Sequence, residues 1–448
     1  MLILKLIYTI SFMKSLMKTS LVLAAFGGLA MAGDGAAYAI NNVIMFICAV
    51  LVLLMQAGFA MLESGLNGSK NTVNILSKNI VDMCFGILLY FFVGYNLMYG
   101  GADGGWLHLD GMLESFKTGT FVSTEATSAE DVAAGALYAP VDYLFQAAFA
   151  AAAATIVSGA IAGRMKFSGY IIFSAIITGI LYPISGMWGW GGGSLSGDDI
   201  GFSDYAGSMI VHGFGGFSAL AAAIVLGARK GRFVEGKAVT FPGHNLAQAT
   251  LGTFLLFIGW FGFNPGSELA YYEAANVQGM LNVAVNTALA AAAGGIGALA
   301  LGWAIAKKAD LSMVLNGVLG GLVAICCACG ALGFVETVFV GLIAGVLVVA
   351  GVYLLDILRI DDAVGAFPVH GICGVWGALT PVVFVTEGYT WSGQLAGVFA
   401  YAVWGFVTSF ALFSLLRLVG QGRVSEEIEA GGLDEDEHAQ VGYAGFEK

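Results

Sequence analysis

Charge is what this sequence has least of. Only 11% of its 448 residues are Asp, Glu, Lys or Arg, against roughly a quarter in an average soluble domain. Too few charges are present to coat a water-facing surface. That excludes a soluble enzyme, a disordered chain and a nucleic-acid binder. Proline occurs six times and no Gly-X-Y period is present, which excludes a collagen-like chain. Cysteine is also scarce: Cys48, Cys84, Cys326, Cys327, Cys329 and Cys373 all fall in apolar stretches. None has the loop spacing of a zinc site or a secreted disulfide framework. The cluster Cys326-Cys327-Ala328-Cys329 reads as small residues packing between helices, and no metal or cofactor is expected. What is abundant is hydrophobic side chains, at 58%, and glycine, at 66 residues. Together they describe an all-α polytopic membrane protein whose helices pack on small residues.

Residues 1–39 read as a signal peptide or targeting segment. Lys14 and Lys18 precede a short apolar run from Leu21 to Ala32, followed by small-residue cleavage motifs. Residues 40–419 read as the transmembrane domain and residues 420–448 as a tail. Eleven apolar runs are long enough to cross about 30 Å of hydrocarbon. They cover 40–62, 76–99, 142–163, 168–188, 205–227, 248–264, 277–306, 312–332, 336–357, 367–386 and 392–419.

Lysine and arginine orient the spans. Past residue 39 there are fifteen, and if the spans alternate only Lys117 falls on the other side from the rest. Lys70, Lys78, Arg164, Arg229 and Lys448 are among the majority. The N-terminus is therefore expected outside and the C-terminus in the cytoplasm. The acidic tail after Ser425 is expected to be solvated, as charge runs usually are.

Two histidines lie inside spans, in matching strings: Val211-His212-Gly213-x-x-Gly216 and Val369-His370-Gly371-x-x-Gly374. Each follows an aspartate by eight residues, Asp204 and Asp362. The strings occupy the fifth and tenth spans. An offset of five is odd, so the copies run in opposite directions, as in the inverted repeats of transporters. Eight helical residues rise about 12 Å, which brings both imidazoles near the centre of a core about 30 Å thick. Ionisable residues in a membrane interior are costly and line pathways. A neutral imidazole offers one donor and one acceptor, so a pair could form a polar stripe and pass a proton.

Three further segments bear chemistry. Phe145 and Phe149 stand one turn apart on the third span. Trp190 begins a Trp-Gly-Gly-Gly string after the fourth. The sixth ends Trp260-Phe-Gly-Phe263-Asn-Pro-Gly-Ser267. Aromatic faces attract cations and a serine oxygen accepts a hydrogen bond. The loops nearby hold Asp198, Asp199, Asp204 and Glu268 without Lys or Arg, a face that draws cations. Apolar walls disfavour a hydrated metal ion. They suit a small ion that sheds a proton and crosses as a neutral molecule, and ammonium is that ion.

At these strings the sequence resembles the Amt/Mep/Rh ammonium transporter family, on its Amt side. The similarity lies in Asp204-Tyr-Ala-Gly-Ser-Met-Ile-Val-His212, in Gly58-Phe-Ala-Met-Leu-Glu-Ser-Gly65 with Lys70-Asn71, in residues 260–267, and in Asp361-Asp362 followed by Val369-His370-Gly371. The resemblance implies a homotrimer of eleven-helix protomers in the cytoplasmic membrane, each with its own pore, and no enzymatic activity. It implies that Phe145, Trp190 and Ser267 recruit ammonium, with Asp204 supporting that site and the deprotonation. Phe149 and Phe263 would form a stacked gate, His212 and His370 the twin-His pair, and Trp260 a pore-wall aromatic. Ammonium, ammonia and methylammonium are the implied cargo. Gly432-Leu433-Asp434 and His438 are similar to tails that dock PII-type signalling proteins. Two rivals stay open: a membrane sensor that signals through its tail, and a redox protein with haem between the two histidines.

Overall fold

The computed structural model describes residues 35–101, 105–196, 200–385 and 387–444. The expected targeting segment thus lies outside the described residues up to residue 34, as do Asp198, Asp199 and Lys448. Among the described residues, ten helices are long and apolar enough to cross a membrane. They are α1 (Ala36–Leu66), α2 (Ser69–Tyr99), α3 (Ala139–Ala160), α4 (Phe167–Gly189), α5 (Ser208–Leu226), α6 (Leu246–Gly266), α7 (Ala274–Ala306), α9 (Phe334–Leu358), α10 (Phe367–Val385) and α11 (Trp391–Leu418). Between α7 and α9 lies a shorter apolar helix, α8 (Leu311–Ile325). Each falls on one of the eleven apolar runs.

Several boundaries differ from expectation, among them the start of α2, at Ser69 rather than residue 76. Helix α1 begins at Ala36, inside the region read as targeting sequence. Helix α8 stops at Ile325, not near residue 332. There the Cys326 and Cys327 carbonyls leave the helix ladder and accept the Ala206 and Tyr205 amides, at 3.0 and 3.2 Å. The end of α8 is thereby tied to the start of α5.

The packing comes in matched sets. Helix α1 lies along α6. Helix α1 touches α2 and α3 as α6 touches α7 and α8, and α3 meets α5 as α8 meets α10. Small residues allow the close approach. A Cβ on Gly58 would stand 2.9 Å from the Leu256 backbone nitrogen, and one on Gly65 2.6 Å from that of Ala249. Large apolar side chains such as Phe254, Ile296 and Phe399 remain more than half exposed on the outside of the bundle.

The tail is only partly solvated: Glu426, Glu427, Glu435 and Asp436 are exposed, whereas Glu429, Leu433 and Asp434 are buried. It runs as two short helices, Glu426–Gly431 and Leu433–His438, under the end of the bundle that holds Lys70, Arg164 and Asp361. Leu433 is fully buried, and its amide donates to Asn71 Oδ1 at 3.0 Å. Asp434 Oδ1 accepts the Asn74 amide at 2.9 Å, and the His438 ring lies 4.7 Å from that of Phe167. Lys70 Nζ caps the Glu429 and Ala430 carbonyls at 2.9 and 2.6 Å. The acidic run thus meets donors that the helix ends leave unpaired. Composition alone treats such a run as a water-facing surface.

An ion pair clamps the same end. Asp361 receives the Arg229 backbone amide at 2.9 Å, Nε at 2.8 Å and Nη2 at 2.9 Å. Arg164, itself fully buried, donates to the Asp361 carbonyl at 2.5 Å. Burial pushes the Asp361 carboxyl up, but Arg164 and Arg229 outweigh it and hold the group well below the usual carboxylate range. The pair's contribution is therefore fully present above that range and lost as pH falls toward the depressed value. Asp361→Ala leaves buried guanidinium charge unpaired and is expected to destabilise by about 3–5 kcal/mol. Thermal unfolding of the detergent-purified protein checks this, and an unchanged melting temperature would refute it.

Candidate functional site

The two histidine strings meet at a crossing of α5 and α10. Each helix opens with a π-helical turn, Ser208–Gly213 and Phe367–Ile372, a feature common where helices bear function. The spacing from aspartate to histidine has a structural cause. Asp204 accepts the amides of Gly207, Ser208, Met209 and Ile210 at 2.8–3.0 Å, capping α5. Asp362 caps α10 through Gly365 at 3.0 Å and Phe367 at 2.7 Å. Both caps include a glycine in the left-handed region, Gly207 at φ 101° and Gly365 at φ 82°. Each carboxylate satisfies orphan amides at a helix start and fixes where the histidine falls.

The glycines of the strings interlock. A Cβ on Gly216 would collide with the Gly371 backbone nitrogen, and one on Gly374 would lie 3.0 Å from that of Gly213. The last glycine of each string therefore packs on the first glycine of the other. That reciprocal contact brings His212 Nδ1 and His370 Nδ1 to 3.2 Å. A hydrogen bond at this distance requires one ring to donate from Nδ1 and the other to accept there. His212 Nε2 is buried and has no partner, leaving a polar atom for a small guest.

Aromatic rings continue the column away from the pair. The imidazole of His212 stacks on Phe263 with centroids 5.1 Å apart and on Trp260 at 5.2 Å. Phe263 stacks face to face with Phe149 at 4.0 Å and 19°. Phe149 then meets Phe145 at 4.7 Å and Trp190 at 5.9 Å. Phe145, Phe149, Trp260 and Phe263 are buried, whereas Trp190 and Ser267 are partly open. Trp190 is held by its Nε1 on the Asp204 carbonyl at 2.9 Å. Ser267 Oγ donates to the Phe263 carbonyl at 2.9 Å, so its lone pairs can still accept. The neighbouring Gly266 leaves room for the Phe145 ring, which a Cβ there would crowd at 2.8 Å. The structure thus brings Phe145, Phe149, Trp190, Trp260, Phe263, Ser267, His212 and His370 into one cluster, with Asp204 behind Trp190.

Three residues differ from expectation. Asp204 is 5% exposed and its oxygens are occupied by four amides, so it is not part of an acidic outer face. Glu268 is engaged by Tyr205 Oη at 2.5 Å and Asn276 Nδ2 at 3.3 Å. Cys326 is more than packing: its sulfur accepts the Trp260 indole N–H at 3.2 Å and so orients a wall of the column.

A model of the ammonium transporter family matches residues 43–443. The chain belongs to that family. It is 49% identical over 412 residues to a Synechocystis sp. protein provisionally named an ammonium transporter, covering 90% of this chain and 89% of that one. It is 42% identical to ammonium transporter Amt2 of Archaeoglobus fulgidus, covering 89% and 87%. The solved structure of a sensor Amt protein superposes with a TM-score of 0.81 at 34% identity, covering 91% of this chain and all of that one. The family is one of membrane transport, not of enzymes, and this member is a multi-pass cell-membrane protein.

On the other side of the histidine pair lies a group that sequence reasoning passed over. Phe59 stands 6.1 Å from the His370 ring. Beyond it Glu63, Lys78 and Asp82 are all 2% exposed or less. Lys78 was counted among the charges of one membrane face. It is instead fully buried, with Nζ 5.4 Å above the Tyr170 ring. Local sequence carries little signal: Glu63, Lys70, Lys78 and Asp82 share a twenty-residue stretch rich in Asn, Ser and Thr, which reads as a loop as readily as a buried helix.

Proposed function

We propose that the chain takes up ammonium across the cytoplasmic membrane through a pore in each protomer. NH4+ is recruited from outside by cation–π contact with Phe145 and Trp190, about 0.5–2 kcal/mol each, and by a hydrogen bond to Ser267 Oγ. Asp204 supports this site by fixing Trp190 and the start of α5. The Phe149–Phe263 stack strips water from the ion. Desolvation disfavours the charged form, so the ion gives up its proton there. NH3 then passes His212 and His370 along a path walled by Trp260. Methylammonium is a further substrate of the same chemistry.

The observation that carries this reading is the 3.2 Å imidazole pair sealed behind a 4.0 Å phenylalanine stack. A neutral polar stripe behind a dry aromatic plug suits ammonia and no metal ion. The matched packing of α1–α5 and α6–α10 supports an inverted five-helix repeat within eleven crossings, and the Lys and Arg distribution supports an N-terminus outside and a tail in the cytoplasm. The homotrimer belongs to this reading as what the resemblance of the sequence strings implies. The docked Gly432–His438 stretch supports a cytoplasmic surface for a PII-type signalling protein.

An ammonium pulse onto proteoliposomes tests the reading, with current and lumenal pH recorded together. Inward current, or alkalinisation faster than in empty liposomes, is the expected result. Ammonium binding with neither signal would overturn transport and favour a sensor, the role named for the structural relative. A Soret band in the purified protein would revive haem.

A further inference from the structure

Beneath His370 the column does not end in solvent. It opens into a cleft of about 20 Å3 lined by Phe59, Glu63, Thr155, Asn316 and His370. That volume holds one water-sized molecule, which is also the size of ammonia. Glu63 contributes the carboxylate of this cleft. Both its oxygens lie within reach of the one Ser158 hydroxyl, at 2.7 and 2.6 Å, and Oε2 also accepts from Asn79 Nδ2 at 3.3 Å. Among the described residues no ion pair engages Glu63. The other ionisable side chains of this region are elsewhere committed or unpaired. Asp82 is held by Tyr170 Oη and Ser174 Oγ at 2.6 and 2.5 Å, and Lys78 Nζ has no hydrogen-bond partner. Gly159 lines the same cleft, and a Cβ there would stand 3.2 Å from the Glu63 carboxyl carbon. Gln56 lies next to it, bonded to Thr155 Oγ1 through its carbonyl at 2.8 Å. Its Nε2 is buried without a partner.

We propose that Glu63 is the proton acceptor at the inner end of the pore, resting on the ammonium reading above. The proton released from NH4+ passes along His212 and His370 to a Glu63 oxygen, converting the carboxylate to the acid. NH3 arriving in the cleft takes that O–H proton, forming NH4+ and restoring the carboxylate. Atoms and charge balance: one NH4+ enters, one leaves, and one positive charge crosses. The site explains why a carboxyl is kept in a position so costly for charge. Ser158 and Asn79 hold it in orientation, and the cleft admits one molecule to it at a time.

The test compares wild type, Glu63→Gln and Glu63→Asp in proteoliposomes given an ammonium pulse. Gln preserves shape and an accepting oxygen but cannot take the proton; Asp can. In wild type, inward current is expected with little lumenal alkalinisation. In Glu63→Gln the current is expected to fall at least tenfold while the lumen turns alkaline, because NH3 now crosses without its proton. Glu63→Asp is expected to recover part of the current. A residue that only braces α1 against α3 would not convert one signal into the other. Full current in Glu63→Gln, or loss of both signals with no rescue by Glu63→Asp, would overturn the proposal. Wild-type alkalinisation without current would also overturn it while leaving the pore reading intact. Wild type with neither signal would instead defeat the pore reading.

Discussion

Replacing His212 and His370 together by alanine is expected to cut ammonium-driven transport by one to two orders of magnitude. The pair supplies polar side-chain atoms between the Phe149–Phe263 stack and the cleft below His370. Without them ammonia crosses an apolar gap with its N–H groups and lone pair unsatisfied. An unmade hydrogen bond of this kind costs about 1–3 kcal/mol, which is about five- to 150-fold in rate. The relay from one ring to the other also disappears, so the inward current should fall without the lumen turning alkaline in its place. The measurement is the proteoliposome assay, with thermal unfolding as a check that the bundle is intact. Wild-type flux in the double variant would remove the histidines from the path.

Gly216→Val is expected to do as much damage without touching a polar atom. Position 216 faces the Gly371 backbone, and even a first Cβ would stand 2.8 Å from the His370 carbonyl carbon. Backbone cannot swing aside as a flexible side chain can. Helices α5 and α10 must therefore part, and the 3.2 Å contact between the imidazoles breaks with them. Overpacking of this kind costs about 1–3 kcal/mol in stability, and transport should fall to the empty-liposome rate. Gly431→Ala is the matched control, because nothing lies within 4 Å of a Cβ there. It should leave both readings unchanged. Normal transport in Gly216→Val would show that the two glycine contacts do not set the histidine geometry.

Much of the site was legible because its residues are conspicuous against an apolar background. A histidine in a hydrophobic run costs free energy, and a second in a matching string points to a repeat. The aromatic segments were visible through helical spacing, as with Phe145 and Phe149. What sequence reasoning mistook were residues whose partners lie far along the chain. Lys78 looked like a loop charge because its burial depends on α4 and on the docked tail. The docking of the tail was hidden because Asn71, Asn74 and Lys70, which receive it, lie some 360 residues away. Cys326 looked like filler because its partner, Trp260, sits on another helix.

The sequence by itself determined that this is a membrane protein, where its helices lie, and that two histidine strings belong together. Those properties follow from local composition and spacing, which the cost of exposing backbone and charge to lipid makes decisive. Only the tertiary structure decided what the aspartates, glycines and buried charges do. Asp204 and Asp362 became helix caps, the paired glycines became a crossing, and Glu63 came to face His370 across a cleft for one molecule. Each of those roles depends on which distant backbone comes close, and that is set by packing.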